Sequence, residues 1–372
     1  MSRNLISIVC FVGGLTITTS AVAADPPAKF DRAAFDQAVS KGIDYLRTKG
    51  QATDGSYTAP AGPGFTAIAT MAVLRNGRGV NDPQVAKGLK YLEGFVQVDG
   101  SICAPDSRIK TYETSLALVC FSLANKDGRY KQTIANTEKY LKGSQWDGEE
   151  GQSPADVNYG GAGYGGKSRP DLSNTAMLLD ALQAAGDDAN DEAIKKALVF
   201  VSRCQNLETE HNTLPFAAKI NDGGFYYSPA ADGSSPAGKE EQGALRSYGS
   251  MTYAGLKSMI FAGLKADDPR VKAATKWLQS NYTLEENPGL GSAGLFYYYH
   301  LMAKSLDALG QPTFEDAKGT KHDWRAELAA ELIKRQKPDG SWINDNHKWM
   351  EGDPNLTTSF ALLSLAYCRP VK

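Results

Sequence analysis

The chain has 372 residues, a formal net charge of -2, 22% charged residues and 42% hydrophobic residues. That balance excludes a disordered polyelectrolyte, and the lack of any basic run argues against a nucleic-acid partner. A chain of this length usually divides into two domains unless one repeat architecture closes on itself, so repeats decide the domain count.

The chain opens MSRNLISIVCFVGGLTITTSAVAADPP, with one arginine, an apolar stretch from Leu5 to Ile17, and then small residues including Ala21-Val22-Ala23. This pattern predicts a secretory signal peptide over residues 1–24 and a mature chain starting near Ala24 or Asp25. Its apolar part is too short for a spanning helix, and no second run reaches membrane length. The expectation is an exported protein, periplasmic or extracellular, with no transmembrane segment in the mature chain. Cys103, Cys120, Cys204 and Cys368 remain after cleavage. Their spacing fits no zinc ribbon. Buried free thiols and structural disulfides are both open.

Downstream the chain repeats. Each unit reads as an amphipathic first helix, a turn, and a second helix that is apolar nearly all round. The first helices end GIDYL (42–46), GLKYL (88–92), TEKYL (137–141), ALVFV (197–201), ATKWL (274–278) and AAELI (329–333). The turns carry Asp54-Gly55-Ser56-Tyr57, Asp99-Gly100-Ser101-Ile102, Asp147-Gly148, Asp222-Gly223-Gly224-Phe225 and Asp339-Gly340-Ser341-Trp342. The fifth unit has Gly294-Leu295-Phe296 in their place. The second helices read FTAIATMAVL (65–74), ETSLALVCFSLA (113–124), NTAMLLDALQAA (174–185), MTYAGLKSMIFAG (251–263), LFYYYHLMAKSLDAL (295–309) and TTSFALLSLA (357–366).

Glycine supplies a positive φ cheaply, and aspartate closes the turn with its side chain. The charged face of each first helix meets solvent, whereas each second helix must be buried on more than one side. Six buried helices inside six amphipathic ones predict an all-α (α/α)6 toroid, one closed domain over residues 25–372. An open solenoid is the alternative, but it needs polar end repeats, and the last one, SFALLSLAYC, is apolar. Two long inserts, 146–170 and 220–248, are rich in Gly, Ser, Pro and Tyr. Both end just before a second helix, which puts them at one rim, where functional loops gather.

KRQKPDGSW (334–342), with Gln336 and Asp339-Gly340-Ser341-Trp342, resembles the QW motif of squalene-hopene and oxidosqualene cyclases. The helix pairs resemble the repeats shared by those cyclases and the β subunits of protein prenyltransferases. YGGAGYGGKSRPDLSNTAMLLDAL (159–182) is similar to the cyclase stretch that carries the Asp-x-Asp-Asp motif. The likeness runs from about residue 35 to about residue 370 and implies the toroid fold. For function it implies a lumen that takes an isoprenoid. The sequence also departs from the motif, whose four positions here read Asp171, Leu172, Ser173 and Asn174. Ser173 stands where the family has its proton-donating aspartate, and a serine hydroxyl cannot protonate an isolated alkene. The prenyltransferase zinc ligands fall on Gly249, Met251 and Thr357, which make no zinc site. No metal and no other cofactor is expected.

Asp171 and Glu113 open successive apolar helices. They read either as catalytic carboxylates at the rim or as helix-starting acids, favoured as an N-cap or by the helix dipole. Asp180, in the middle of MLLDAL, faces either the lumen or a neighbouring helix. His300, beside Tyr297, Tyr298 and Tyr299, is a cavity-lining base or a core histidine. Tyr164, Tyr248, Tyr253, Tyr298, His300, Trp349 and Asp353 are the substrate-binding candidates. Aromatic faces hold hydrocarbon chains and stabilise carbocations, though core packing also explains buried aromatics.

The expected function is therefore binding or transformation of an isoprenoid, or another apolar substrate, in the lumen of an exported toroid. If active, the chain would act as an intramolecular transferase of the terpene-cyclase kind. A non-catalytic scaffold for lipid or protein is one alternative. A carbohydrate-active (α/α)6 enzyme is the other, and it would need two carboxyl groups about 5–10 Å apart across an open groove.

Overall fold

An aspartate starts most of the amphipathic helices. Asp31, Asp82, Asp191, Asp268 and Asp323 each accept an amide proton from two or three residues on, as in Asp31 with Ala34 N at 3.0 Å and Asp82 with Gln84 N at 2.9 Å. Such a cap satisfies donors that no helical carbonyl reaches. The computed structural model describes residues 30–148, 151–165 and 168–369, and the expected signal peptide at 1–24 lies outside the described residues. Within them, capped amphipathic helices alternate with apolar ones.

The pairs follow the chain. Helix α1 (Arg32–Tyr45, extended by a π turn at Leu46–Gly50) precedes α2 (Pro63–Arg75), and α3 (Pro83–Glu93) precedes α4 (Lys110–Ala124). Next come α5 (Lys131–Lys142) with α6 (Leu172–Ala185), and α7 (Glu192–Arg203), a short α8 (Ala217–Ile220) and α9 (Gly249–Phe261). Helix α10 (Pro269–Ser280) precedes α11 (Leu295–Leu309). After a small antiparallel hairpin of β1 (Phe314–Glu315) and β2 (Lys321–His322), α12 (Trp324–Arg335) leads into α13 (Pro354–Cys368).

The apolar helices α2, α4, α6, α9, α11 and α13 pack each on the next, and α13 returns to α2. The amphipathic helices stand outside this ring, and α1 sits between α12 and α13. The fold is thus the closed (α/α)6 toroid that the repeats predict. Among the described residues no helix is long and apolar enough to cross a membrane. Cys103, Cys120, Cys204 and Cys368 are buried free thiols.

One joint recurs around the ring. A glutamine after each of four outer helices donates to the turn glycine and to a backbone carbonyl of the next outer helix. Gln51 Nε2 reaches Gly55 O at 3.2 Å and Gln84 O at 2.8 Å, and Gln205 Nε2 reaches Gly223 O and Arg270 O, both at 2.9 Å. The backbone amide after the turn then donates to a threonine of the inner helix: Tyr57 N to Thr66 Oγ1 at 2.9 Å, Phe225 N to Thr252 Oγ1 at 3.0 Å, Trp342 N to Thr358 Oγ1 at 3.0 Å. Gln336 closes the circle, donating to Gly340 O at 3.0 Å and to Ala38 O of α1 at 2.9 Å. Thr58 and Asp353, from the first and last units, meet at 2.9 Å.

Two turns differ from expectation. In the third unit Asp147-Gly148 is not the joint. Gln145 Nε2 donates to Gly160 O at 2.8 Å and Ala162 N to Thr175 Oγ1 at 3.0 Å, so residues 146–159 are an insertion inside the joint. In the fifth unit Gly294 caps α11 with φ 65. The polar centre there is Asn287, whose side chain accepts from Ser250 N at 3.0 Å and donates to Ala293 O at 3.1 Å.

Gly340 shows why the joint needs glycine. Its φ is 91, and a Cβ there would stand 2.4 Å from the Lys41 carbonyl oxygen. Gly77 has the same φ, 91, with nothing within 4 Å. Gly77→Ala should therefore cost about 1 kcal/mol from backbone strain alone, and Gly340→Ala about 2–4 kcal/mol, measured by urea unfolding. Equal losses would mean that the turn does not seat on the neighbouring helix.

Candidate functional site

The N-terminal ends of the inner helices join at one rim. Asp171 is the N-cap of α6 and is 2% exposed. Its Oδ1 accepts from Asn174 N at 2.9 Å and its Oδ2 from Asn174 Nδ2 at 2.7 Å, with a further contact from the Tyr227 hydroxyl. Burial pushes the Asp171 carboxyl up to about 6 against the pull of those hydrogen bonds. Glu113, also 2% exposed, lies in the first turn of α4 and accepts from Ala104 N at 3.3 Å. Its carboxyl is raised, again by burial first. It occupies the space beside the N-cap of α2, where a Cβ on Gly62 would stand 2.1 Å from its Oε1. Each carboxylate thus has its own separate set of partners.

The other rim candidates lie in different settings. Tyr164 is partly exposed and its ring lies 6.1 Å from Tyr112. Tyr248 is the buried N-cap residue of α9. Tyr253 and Tyr298 are buried in the wall with rings 5.6 Å apart, and the Tyr298 hydroxyl donates to Thr283 O at 2.8 Å. Trp349 is 46% exposed, at φ 54, with Lys348 Nζ 4.5 Å above its ring. Asp353 caps α13 through Asn355 N at 2.8 Å and Leu356 N at 3.0 Å. Ser173, in the place of the cyclase acid, is hydrogen-bonded to the Tyr297 hydroxyl at 3.1 Å. Glu351, which the sequence did not single out, is buried and caps α11 from the last repeat, accepting Tyr297 N at 2.8 Å.

Below this layer lies the lumen. A cavity of about 60 Å³ is walled by Ile68, Leu116, Met177, Leu301 and Phe360 among others, and Tyr297 and His300 face it. A second cavity of about 360 Å³ shares Arg75, Asp180 and Lys304 with the first and extends to the C-terminal ends of the inner helices. Asp171 and Glu113 line neither.

A charged cluster sits where the two cavities meet. Asp180 of α6 pairs with Lys257 of α9 at 2.5 Å and with Lys304 of α11 at 2.7 Å. Burial alone would raise the Asp180 carboxyl, but the two ammonium groups outweigh it and pull it down to about 2. Lys257, 0% exposed, shifts down to about 8 because loss of water and Lys304 beside it exceed what Asp180 returns. Burial, then Lys304, depresses His300 to about 3, so it is neutral at ordinary pH. His300 faces the cavity and its Nδ1 has no hydrogen-bond partner, so it is not a satisfied core histidine. Asp180 is a lumen residue, and its partners Lys257 and Lys304 were legible only as single charges inside apolar helices.

A solved structure of the type II terpene cyclase MstE from Scytonema is similar over 90% of this chain and 98% of that one, at 13% identity and a TM-score of 0.53. A variant of that enzyme holds geranylgeranyl dihydroxybenzoate as substrate. A family 76 glycoside hydrolase from a bovine Bacteroides thetaiotaomicron strain is similar over 90% and 78% of the two chains, at 12% identity and a TM-score of 0.55. A polysaccharide lyase is similar over 90% and 96%, at 11% identity and a TM-score of 0.52. No protein-family model matches the chain, and no curated protein matches it by sequence. The likeness shows the toroid fold, which hosts both terpene-cyclising and carbohydrate-active enzymes and does not itself choose between them.

The raised Asp171 carboxyl has a thermodynamic consequence. Asp171 holds its proton more tightly folded than unfolded, so its contribution to stability is full at low pH and is lost as pH rises from about 4 to about 6. Relative to Asp171→Asn, the wild-type protein should lose on the order of 2 kcal/mol over that interval, read by urea unfolding at both ends. A constant difference would put Asp171 at the ordinary carboxylate value.

Proposed function

We propose that the exported toroid binds an apolar ligand of the isoprenoid class in its lumen. The observation that carries this reading is the pair of adjoining cavities, the inner one walled by Leu116, Met177, Leu301 and Phe360 and the larger one at the C-terminal ends. The inner wall is mostly apolar, which suits the hydrocarbon part of such a ligand. A lumen filled by side chains would instead suit a scaffold. The carbohydrate-active reading has less support, because Asp171 and Glu113 are buried with separate partners rather than opposed across an open groove.

Cyclisation of that ligand by Asp171 and Glu113 has less support, because neither carboxylate lines the lumen cavities and each is held by its own partners.

Lipid extraction and native mass spectrometry of the protein from its own exported fraction should find a co-purifying isoprenoid or lipid. In calorimetric titration farnesol should bind, and Met177→Trp, which fills the cavity, should weaken binding at least tenfold, about 1.4 kcal/mol. An empty protein, or farnesol binding untouched by Met177→Trp, would remove the lumen reading. Asp171→Asn, at a residue that lines neither cavity, should leave farnesol binding intact.

A further inference from the structure

Three cations converge on the lumen: Lys257, Lys304 and Arg75. One carboxylate, Asp180, answers them, and both its oxygens are already taken, Oδ1 by Lys257 and Oδ2 by Lys304. Arg75 stacks over Tyr367 at 5.3 Å and has no carboxylate at ion-pair distance among the described residues. Asp307, at the outer mouth, is engaged by Arg325 at 2.8 Å. Three cations against one carboxylate thus leave a net charge of two on this cluster, with Lys257 fully buried.

The neutral hydroxyls beside them are free to donate to a ligand. Ser115 Oγ is buried without a partner and lines the inner cavity, and Ser122 Oγ is unpartnered on the outer one. An ammonium carries three donors, and the acceptor seen at Lys304 is Asp180 alone, so two N–H groups of Lys304 remain. The charged donors of the lumen thus outnumber its one carboxylate, and their complement is an acceptor-rich anion. The inner helices end at the outer mouth, where their dipoles oppose an anion, but that effect fades within a turn and is screened by water there. Lys257 and Lys304 stand deeper, four and five residues before the ends of α9 and α11.

We infer that Lys257, Lys304 and Arg75 form an oxyanion site for a phosphate-type group on the ligand. This rests on the apolar-lumen reading for the ligand's tail, though not for its head. A phosphate monoester carries about −1.5 to −2 charges at neutral pH, which matches the uncompensated charge. Arg75 and Lys304 line both cavities, so the head lies where the two meet, and the tail follows the apolar wall of Leu116, Met177, Leu301 and Phe360.

The test is calorimetric titration of the purified mature protein with dodecyl phosphate, dodecanol and inorganic phosphate, for wild type, Lys304→Met and Arg75→Gln. Arg75→Gln at the mouth keeps the test available if Lys304→Met fails to fold. The wild type should bind dodecyl phosphate at least tenfold more tightly than dodecanol. Inorganic phosphate should compete with the ester, and either variant should lose at least tenfold for the ester and little for the alcohol. Binding of inorganic phosphate alone, weakened by both variants, would make free phosphate the occupant, sustaining the oxyanion site while sinking the apolar-lumen reading. Equal binding of ester and alcohol, with no phosphate competition and no effect of either variant, would overturn the oxyanion site and leave that reading standing. No binding of ester or phosphate would overturn it as well.

Discussion

The ring hangs on a joint that is repeated between units. A glutamine bridges its own turn to the next outer helix, a glycine lets that turn lie against the helix backbone, and a threonine of the inner helix receives the next amide. These are buried groups, and a partner removed from such a bond costs about 1–3 kcal/mol because the other is left dry and unsatisfied. Because Gln336 spans from the last unit to Ala38 of the first, the same joint that links neighbours also closes the ring. Closure covers both apolar end repeats and removes the need for polar caps.

Closure has a chemical consequence. Arg75, Asp180, Lys257 and Lys304 lie on four different inner helices and meet only because those helices form a circle. A buried charge is tolerated when it is paired, and Asp180 is paired twice. The cluster remains cationic, which is costly in a dry interior unless something else supplies negative charge. A core built for stability alone would be served better by apolar residues at these places. That imbalance sets the lumen of this chain apart from a packed scaffold core.

Much of the fold was legible in the sequence, and particular residues show why the rest was not. Inner helices such as Leu295–Leu309 have nearly the bounds their apolar runs predict, since an all-round apolar pattern admits one setting. The third turn was misplaced because Asp147-Gly148 looks local, while the joint is defined by Gln145 reaching across an insertion to Gly160. Asp171 was legible both as an acid and as a cap, and the fold places it as the N-cap of α6 with its carboxyl raised by burial. His300 was read with its tyrosine neighbours, yet what sets its character is first the loss of water around it and then Lys304, one helical turn away.

Periodicity, turn chemistry and the recurring glycine are local or evenly spaced properties, so the sequence by itself determined six helix pairs and their closure. Which side chains share the lumen depends on the rotation of each inner helix about its axis. For helices apolar on every side, a linear pattern carries no such phase. Only the tertiary structure therefore decided that Asp180, Lys257 and Lys304 meet, that Asp171 and Glu113 stay apart with separate partners, and that the charge left over faces a cavity.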